Sequence, residues 1–241
     1  MKLKLIQKLA KTIAAIMLTA AVFFTAGCTK DNGGNGTYNG HDYVDLGLRS
    51  GTLWATCNVG ADQPEEYGDY FAWGETQPKT IYDWNTYMYS NGDYNQLTKY
   101  CTQSTFGFNG FTDNLKSLQP SDDAATANWG EGWRTPTYNE WVELLSRCTF
   151  IWTTQNGVNG FLFTGRNGNS IFMPAGGCHI DVDFDNVGIG GRYWSSSLNK
   201  AYPDEVRGFG FSGYNPDWID HDIYDYSREF GLSVRAVRSS H

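Results

Sequence analysis

Carboxylates and aromatic rings crowd into two short stretches of the 241-residue chain. Asp181-Val182-Asp183-Phe184-Asp185-Asn186 carries an acid at every second position. In an extended segment alternate side chains share one side, so Asp181, Asp183 and Asp185 can offer hard oxygen ligands to Ca²⁺. The run is not an EF-hand loop, because Asn186 stands where glycine is needed and Arg192 where the bidentate glutamate would be. The competing expectation is a half-buried strand with Val182 and Phe184 inward and the acids in water. In the second stretch, Ser212 to Tyr226, the rings Tyr214, Trp218, Tyr224 and Tyr226 are interspersed with Asp217, Asp220, His221, Asp222 and Asp225. Flat aromatic faces flanked by carboxylates can stack on sugar rings while accepting hydrogen bonds from hydroxyls, or can anchor a protein partner. The same rings would serve equally well to cover the core of a loop-rich domain.

Nucleophiles and soft metal ligands are sparse. No Cys-x-x-Cys pair is present, which leaves zinc binding and thioredoxin-type redox chemistry without support. His41, His179, His221 and His241 lie far apart in sequence, where a lone histidine is ordinarily a surface or satisfied polar group. Ser195-Ser196-Ser197 lacks the Gly-x-Ser-x-Gly elbow of a hydrolase and suits strand and loop hydrogen bonding.

Cys28 stands apart from the other four cysteines. Lys2, Lys4, Lys8 and Lys11 precede an apolar run from Thr12 to Ala26, the charged end and apolar middle of a signal peptide. That run is shorter than the roughly twenty residues a membrane-spanning helix needs. Thr25-Ala26-Gly27-Cys28 then resembles a bacterial lipobox, in the looser Bacteroidetes form with Thr25 in place of leucine. It predicts a lipidated Cys28 as the mature N-terminus, and several acyl chains hold a protein to a bilayer more firmly than one. Thr29 to Gly36 is glycine-rich with little to bury, so residues 28–39 read as a flexible tether. Lys30 and Asp31 resemble the signal that sends such lipoproteins to the cell surface. The expected location is the outer membrane, lipid-anchored, with the periplasmic face as the alternative to the surface. Removing Cys28 leaves Cys57, Cys101, Cys148 and Cys178, an even set in a compartment that permits disulfides, and their spacing leaves all connectivities open. Four of the 18 basic residues and none of the 26 acids precede Cys28, so the mature chain carries 14 basic against 26 acidic residues. Such a balance argues against a nucleic-acid partner.

The elements that must position these residues are short. Low charge, high Gly and 16% aromatic residues suit a loop-rich extracellular β or α+β module better than a helical enzyme. His41 to Leu46, Thr52 to Val59, Arg192 to Ser196, Val206 to Phe211 and Leu232 to Val237 read as strands. Phe161 to Thr164 and Ser170 to Met173 flank an Asn-Gly turn and predict a hairpin. Thr137-Tyr138-Asn139-Glu140 is a capping box, and Trp141, Leu144, Leu145 and Cys148 follow at helical spacing. A shorter helix is expected from Ser121 to Ala127.

Several blocks in order resemble the Fibrobacter succinogenes major paralogous domain, a family of Bacteroidetes and Fibrobacter surface lipoproteins. They are Val44 to Leu48, Leu53 to Ala61, Tyr67 to Glu75, Trp133 to Thr137, Asn169 to Gly177, Tyr193 to Ser197 and Ser233 to Arg238. Trp133 to Trp141, with Val234-Arg235-Ala236-Val237 much later, is also similar to the frame of formylglycine-generating-enzyme and C-type-lectin-like folds. The resemblance implies a C-type-lectin-like α+β domain over residues 40–241, with short antiparallel strands, one or two helices and its terminal strands side by side. It implies that Trp54, Trp73, Trp133, Trp141 and Trp194 are core, that Arg134 and Arg235 pair with buried acids, and that Cys57 pairs with Cys148, leaving Cys101 with Cys178. The reactive C-terminal cysteines of the enzymes are missing, since none follows Cys178. Asn215-Pro216-Asp217-Trp218 is similar to the Pro-centred sugar-binding tripeptides of calcium-dependent lectins, without their Trp-Asn-Asp companion, and a plain Pro-Asp turn explains it.

The expectation is therefore a signal peptide over residues 1–27, the tether, and one non-catalytic binding domain for a glycan or protein, with Ca²⁺ its only candidate cofactor. The rivals are a metal-dependent envelope enzyme on the formylglycine-generating scaffold and a structural part of a surface assembly.

Overall fold

The computed structural model describes residues 34–215 and 218–240. Their fold is mixed α+β, mostly strand, with few helices and long loops. The first hairpin joins β1 (Gly36–Tyr38) to β2 (His41–Asp45) through Asn39-Gly40, both at positive φ, the conformation an Asn-Gly turn readily adopts. The expected tether thus ends earlier than residue 39. Tyr38 is already structural: its ring packs on Trp133, and the Arg238 guanidinium lies 4.0 Å from its centroid.

β2 pairs with β3 (Thr52–Ala55), and β3 pairs antiparallel with β14 (Val237–Ser239), Trp54 opposite Val237. The first and last strands of the unit therefore share one sheet, ordered β1-β2-β3-β14. The chain then forms β4 (Tyr70–Phe71) and a long aromatic loop region. Next comes α1 (Ala124–Trp129), capped by Asp123, which accepts from the Ala125 and Thr126 N–H groups. The expected start at Ser121 is instead a 3₁₀ turn, Pro120–Asp122. The capping box opens α2 (Tyr138–Arg147) as the sequence predicts.

A three-stranded antiparallel sheet follows, β5 (Thr149–Gln155), β6 (Val158–Thr164) and β7 (Ser170–Pro174), then a small ribbon of β8 (Cys178–Ile180) and β9 (Asp183–Asp185). The remaining strands are β10 (Gly190–Leu198), β11 (Glu205–Asn215), β12 (Trp218–Ser227) and β13 (Leu232–Ser233). They form a sheet in the order β12-β11-β10-β13-β4. The strand expected over Leu232 to Val237 is split, because Val234 to Ala236 pass between the two larger sheets with Arg235 turned inward.

The five-stranded sheet divides the interior. Tyr193, Phe209 and Phe211 face one apolar cluster with Trp54, Trp141, Phe161 and Phe163, and Trp141 stacks on Phe209 at 5.0 Å. Trp194 and Val206, on the other face, join Trp73, Trp133, Leu232 and Val234. All five tryptophans expected in the core are buried there.

Two arginines carry their charge into this interior. Among the described residues Arg235 pairs with no acid, contrary to expectation. Its Nε donates to the Asn58 side-chain oxygen, Nη1 to the carbonyls of Ala55 and Thr56, and Nη2 to the carbonyl of Phe172. Arg228 donates to the Tyr87 hydroxyl and to the carbonyls of Lys99, Tyr100 and Pro203. Arg134 does meet an acid, donating to Glu140 at 2.7 Å.

Glu140 also accepts from the Thr137 backbone at 2.8 Å and from the Thr52 hydroxyl at 2.9 Å, so one carboxylate joins α2, β3 and the Arg134 segment. Burial alone would raise its pKa, but the bonds from Arg134 and Thr137 prevail and hold it down at about 2. The carboxylate therefore contributes stability that is fully present above its ordinary value of 4.5 and is lost as pH falls towards about 2. The full contribution is on the order of 3 kcal/mol. In denaturant titrations across this window, Glu140→Gln should be less stable at neutral pH and lose less on acidification. Parallel profiles would show that Glu140 is not the responsible group.

Candidate functional site

Gly208-Phe209-Gly210-Phe211 on β11 alternates the smallest side chain with a large apolar one. The strand's period of two sends both phenylalanines into the core and both glycines to the opposite face. On neighbouring β12, Tyr224 lies opposite Gly208 and Tyr226 opposite Val206. The two tyrosine rings lean over the glycine backbone. A Cβ on Gly208 would come within 2.8 Å of the Tyr226 ring, and one on Gly210 within 2.9 Å of the Tyr224 ring and into the Tyr226 hydroxyl. The rings stand 6.2 Å apart with planes at 57°, a shallow open V above a glycine floor.

Beside them lies a cleft of about 320 Å³ bounded by Gly190, Arg192, Ser212, Asp220, Tyr224 and Tyr226. The Tyr224 hydroxyl donates to Asp220 at 2.8 Å, which fixes the ring's orientation. Burial and then this carboxylate push the phenol up to about 12. At the other side Arg192 donates to Asp185 at 3.0 Å and to the Cys178 sulfur at 2.6 Å, and its guanidinium lies 5.8 Å from the Tyr226 centroid. Two wider depressions, about 530 and 510 Å³, flank Arg207, which lies 4.8 Å over the Tyr138 ring.

The described residues of the stretch Ser212 to Tyr226 thus belong to two long paired strands, β11 and β12. Their alternation separates residues the sequence groups together. Asp220, Tyr224 and Tyr226 reach the cleft. His221 does not: it packs against Phe150 at 4.4 Å and also against Phe161, on the core side. The backbones of Tyr214 and Trp218 lie at the hairpin end, and Asp217 lies outside the described residues. Arg192 and the two floor glycines are site residues that sequence reasoning missed, although the Gly-Phe alternation was there to read.

The three acids proposed for Ca²⁺ do not converge. Asp181 sits at φ 53°, which breaks the extended run, and Asp185 is held by Arg192. Val182 and Phe184, expected inward, are 59% and 61% exposed, because the β8–β9 ribbon packs through His179 onto Tyr82 and Tyr70. Among the described residues no group of three His, Cys, Asp or Glu is placed to hold a metal ion. His41 stacks on Trp129 at 3.9 Å, away from His179 and His221 in their own aromatic surroundings, and His241 lies outside the described residues.

Cys28 also lies outside them. The pairings of Cys57 with Cys148 and Cys101 with Cys178 are not formed: all four stand as free thiols. Each has separate surroundings. Cys57 contacts the Thr56 hydroxyl, Cys101 donates to the Gln103 carbonyl, Cys148 ends α2 in one core cluster, and Cys178 lies under Arg192 in the other. Burial pushes Cys148 and Cys178 up to about 11, which keeps them protonated and poor nucleophiles.

Among the described residues no helix is long and apolar enough to cross a membrane. Compared with known proteins, the chain matches no family model, no curated protein and no solved structure.

The glycine floor gives a direct prediction. Gly210 has ordinary φ, so alanine is acceptable to the backbone and only the rings stand in its way. Gly210→Ala should lower stability by about 1–3 kcal/mol in denaturant unfolding, as overpacking does. An unchanged midpoint would mean that the rings are not seated on the strand.

Proposed function

We propose that this chain is an envelope lipoprotein of the major paralogous domain family, anchored through Cys28, whose C-type-lectin-like domain binds a glycan without transforming it. The single observation that carries the binding reading is the pair of tyrosine rings set on glycine beside the Arg192 cleft. Rings held by packing and by the Tyr224–Asp220 bond are ordered before a ligand arrives, so little freedom remains to be lost on stacking. The family reading is supported by the antiparallel pairing of β3, from the N-terminal part of the domain, with the C-terminal strand β14 and by the five buried tryptophans. A non-catalytic role is supported by the buried, protonated thiols and the dispersed histidines.

A protein ligand is the second reading, favoured by the exposed Val182, Phe184, Val187 and Ile189 in the segment that leads into Gly190 and Arg192 of the cleft. Exposed apolar side chains grouped in this way mark interaction surfaces.

The detergent-solubilised full chain, applied to a glycan array, should bind a subset of glycans. Tyr224→Ala should weaken that binding at least about tenfold, equivalent to roughly 1.4 kcal/mol. Absence of any glycan signal, with an envelope protein retained by the same chain, would favour the protein reading.

A further inference from the structure

We infer that the ligand of the tyrosine cleft is an uncharged saccharide taken up without a metal ion. The inference rests on the binding reading above and narrows its ligand.

The charges of the cleft carry the argument. Among the described residues Arg192 is the one cation that lines the cleft, and both outer nitrogens are engaged, Nη2 with Asp185 and Nη1 with Cys178. Against it stand Asp220, which lines the cleft, and Asp185 itself. A uronate, sulfate or phosphate entering here would meet more carboxylate than free cation. Like charges brought together in a partly enclosed site oppose binding.

A sugar hydroxyl meets no such obstacle. It is donor and acceptor at once, and an ionised carboxylate oxygen that already accepts one hydrogen bond has lone-pair capacity left. Asp220 can therefore keep its bond from Tyr224 and accept another from a ligand hydroxyl. The Ser212 hydroxyl at the cleft wall can donate or accept. The flat C–H face of a pyranose matches the open face of Tyr224, whose ring lies along the strand over Gly210. A volume of about 320 Å³ lies at the small end of the range for ligand clefts, about 300–1,000 Å³, and suits a short saccharide or a chain end.

The same residues oppose a metal bridge between protein and sugar. A hard cation such as Ca²⁺ needs about six to eight oxygen ligands. The carboxylates here are too few and too scattered for that: Asp185 is held against Arg192, Asp225 faces Arg207 at 3.9 Å, and among the described residues no three acidic, histidine or cysteine side chains group around Asp220. Arg192 also places a fixed positive charge beside any such ion. Stacking and direct hydrogen bonds are what this cleft can supply.

The test is titration calorimetry on the full chain in detergent. The probes are neutral oligosaccharides of glucose, mannose and xylose and, in parallel, uronate- and sulfate-bearing oligosaccharides, each with EDTA and with added Ca²⁺. At least one neutral probe should bind equally with EDTA and with Ca²⁺, and tenfold or more tighter than the acidic probes. Tyr224→Ala should weaken it tenfold or more. Tyr224→Phe, which keeps the ring and folds by the same packing, should retain more of the affinity. Asp220→Asn should shift the acidic-to-neutral affinity ratio at least fivefold towards the acidic probes. Tighter binding of an acidic probe, or loss of binding in EDTA, overturns this inference and leaves the glycan reading standing. No binding of any saccharide overturns both the inference and the glycan reading.

Discussion

The fold closes on a buried guanidinium that has no carboxylate partner among the described residues. Arg235 draws together the backbone after β3, through the carbonyls of Ala55 and Thr56, and the end of the middle sheet, through the carbonyl of Phe172. A cation taken from water loses several kcal/mol of solvation. Here the loss is offset only by oxygens that converge once the N-terminal, middle and C-terminal segments are all in place. Arg's planar fork suits such a fixed set of acceptors better than a lysine ammonium would. Arg228 repeats the device for the long aromatic loops, binding the carbonyls of Lys99, Tyr100 and Pro203 between the rings of Trp73 and Tyr87. A domain with so little helix and so many loops is held at these two points by charge set among carbonyl dipoles.

The tyrosine cleft follows from the sheet that these contacts fix. With an apolar cluster on each side of β10, the alternation along β11 has to change character where the second cluster ends. On the first face Phe209 and Phe211 continue the core. On the other, Val206 belongs to the interior and gives way to Gly208 and Gly210, so that side chains from edge strand β12 can lie down over the backbone. Tyr226, nearer the interior, meets Trp194, and Tyr224, further out, is oriented by Asp220. The proposed binding surface is the outward continuation of a core face, with ordinary packing supplying its order.

Local signals were the most legible part of the sequence. The capping box at Thr137, the Asn-Gly hairpin at Asn167-Gly168 and the core tryptophans need only near neighbours or strong apolarity to declare themselves. Less legible was anything that depends on which face of a strand a residue occupies. Tyr224 and His221 look like equal members of one aromatic and acidic run, and only the register of β12 against β11 sends one to the cleft and the other against Phe150. Arg235 reads naturally as an ion-pair member because most of its actual acceptors are backbone carbonyls, which every residue carries. The cysteines misled for a related reason: an even count is compatible with pairing, but pairing requires proximity, and these thiols lie in separate surroundings.

The central claim is that ligand is seated on the outer face of β10 to β12, on rings set over glycine. Backbone hydrogen exchange of the full chain, with and without a saccharide that it binds, tests it most directly. Slowed exchange concentrated in Gly208 to Ser212 and Asp220 to Tyr226, with the β1-β2-β3-β14 sheet unaffected, is the result the account requires. Protection confined to the long loops before α1, or to the depressions around Arg207, would contradict it.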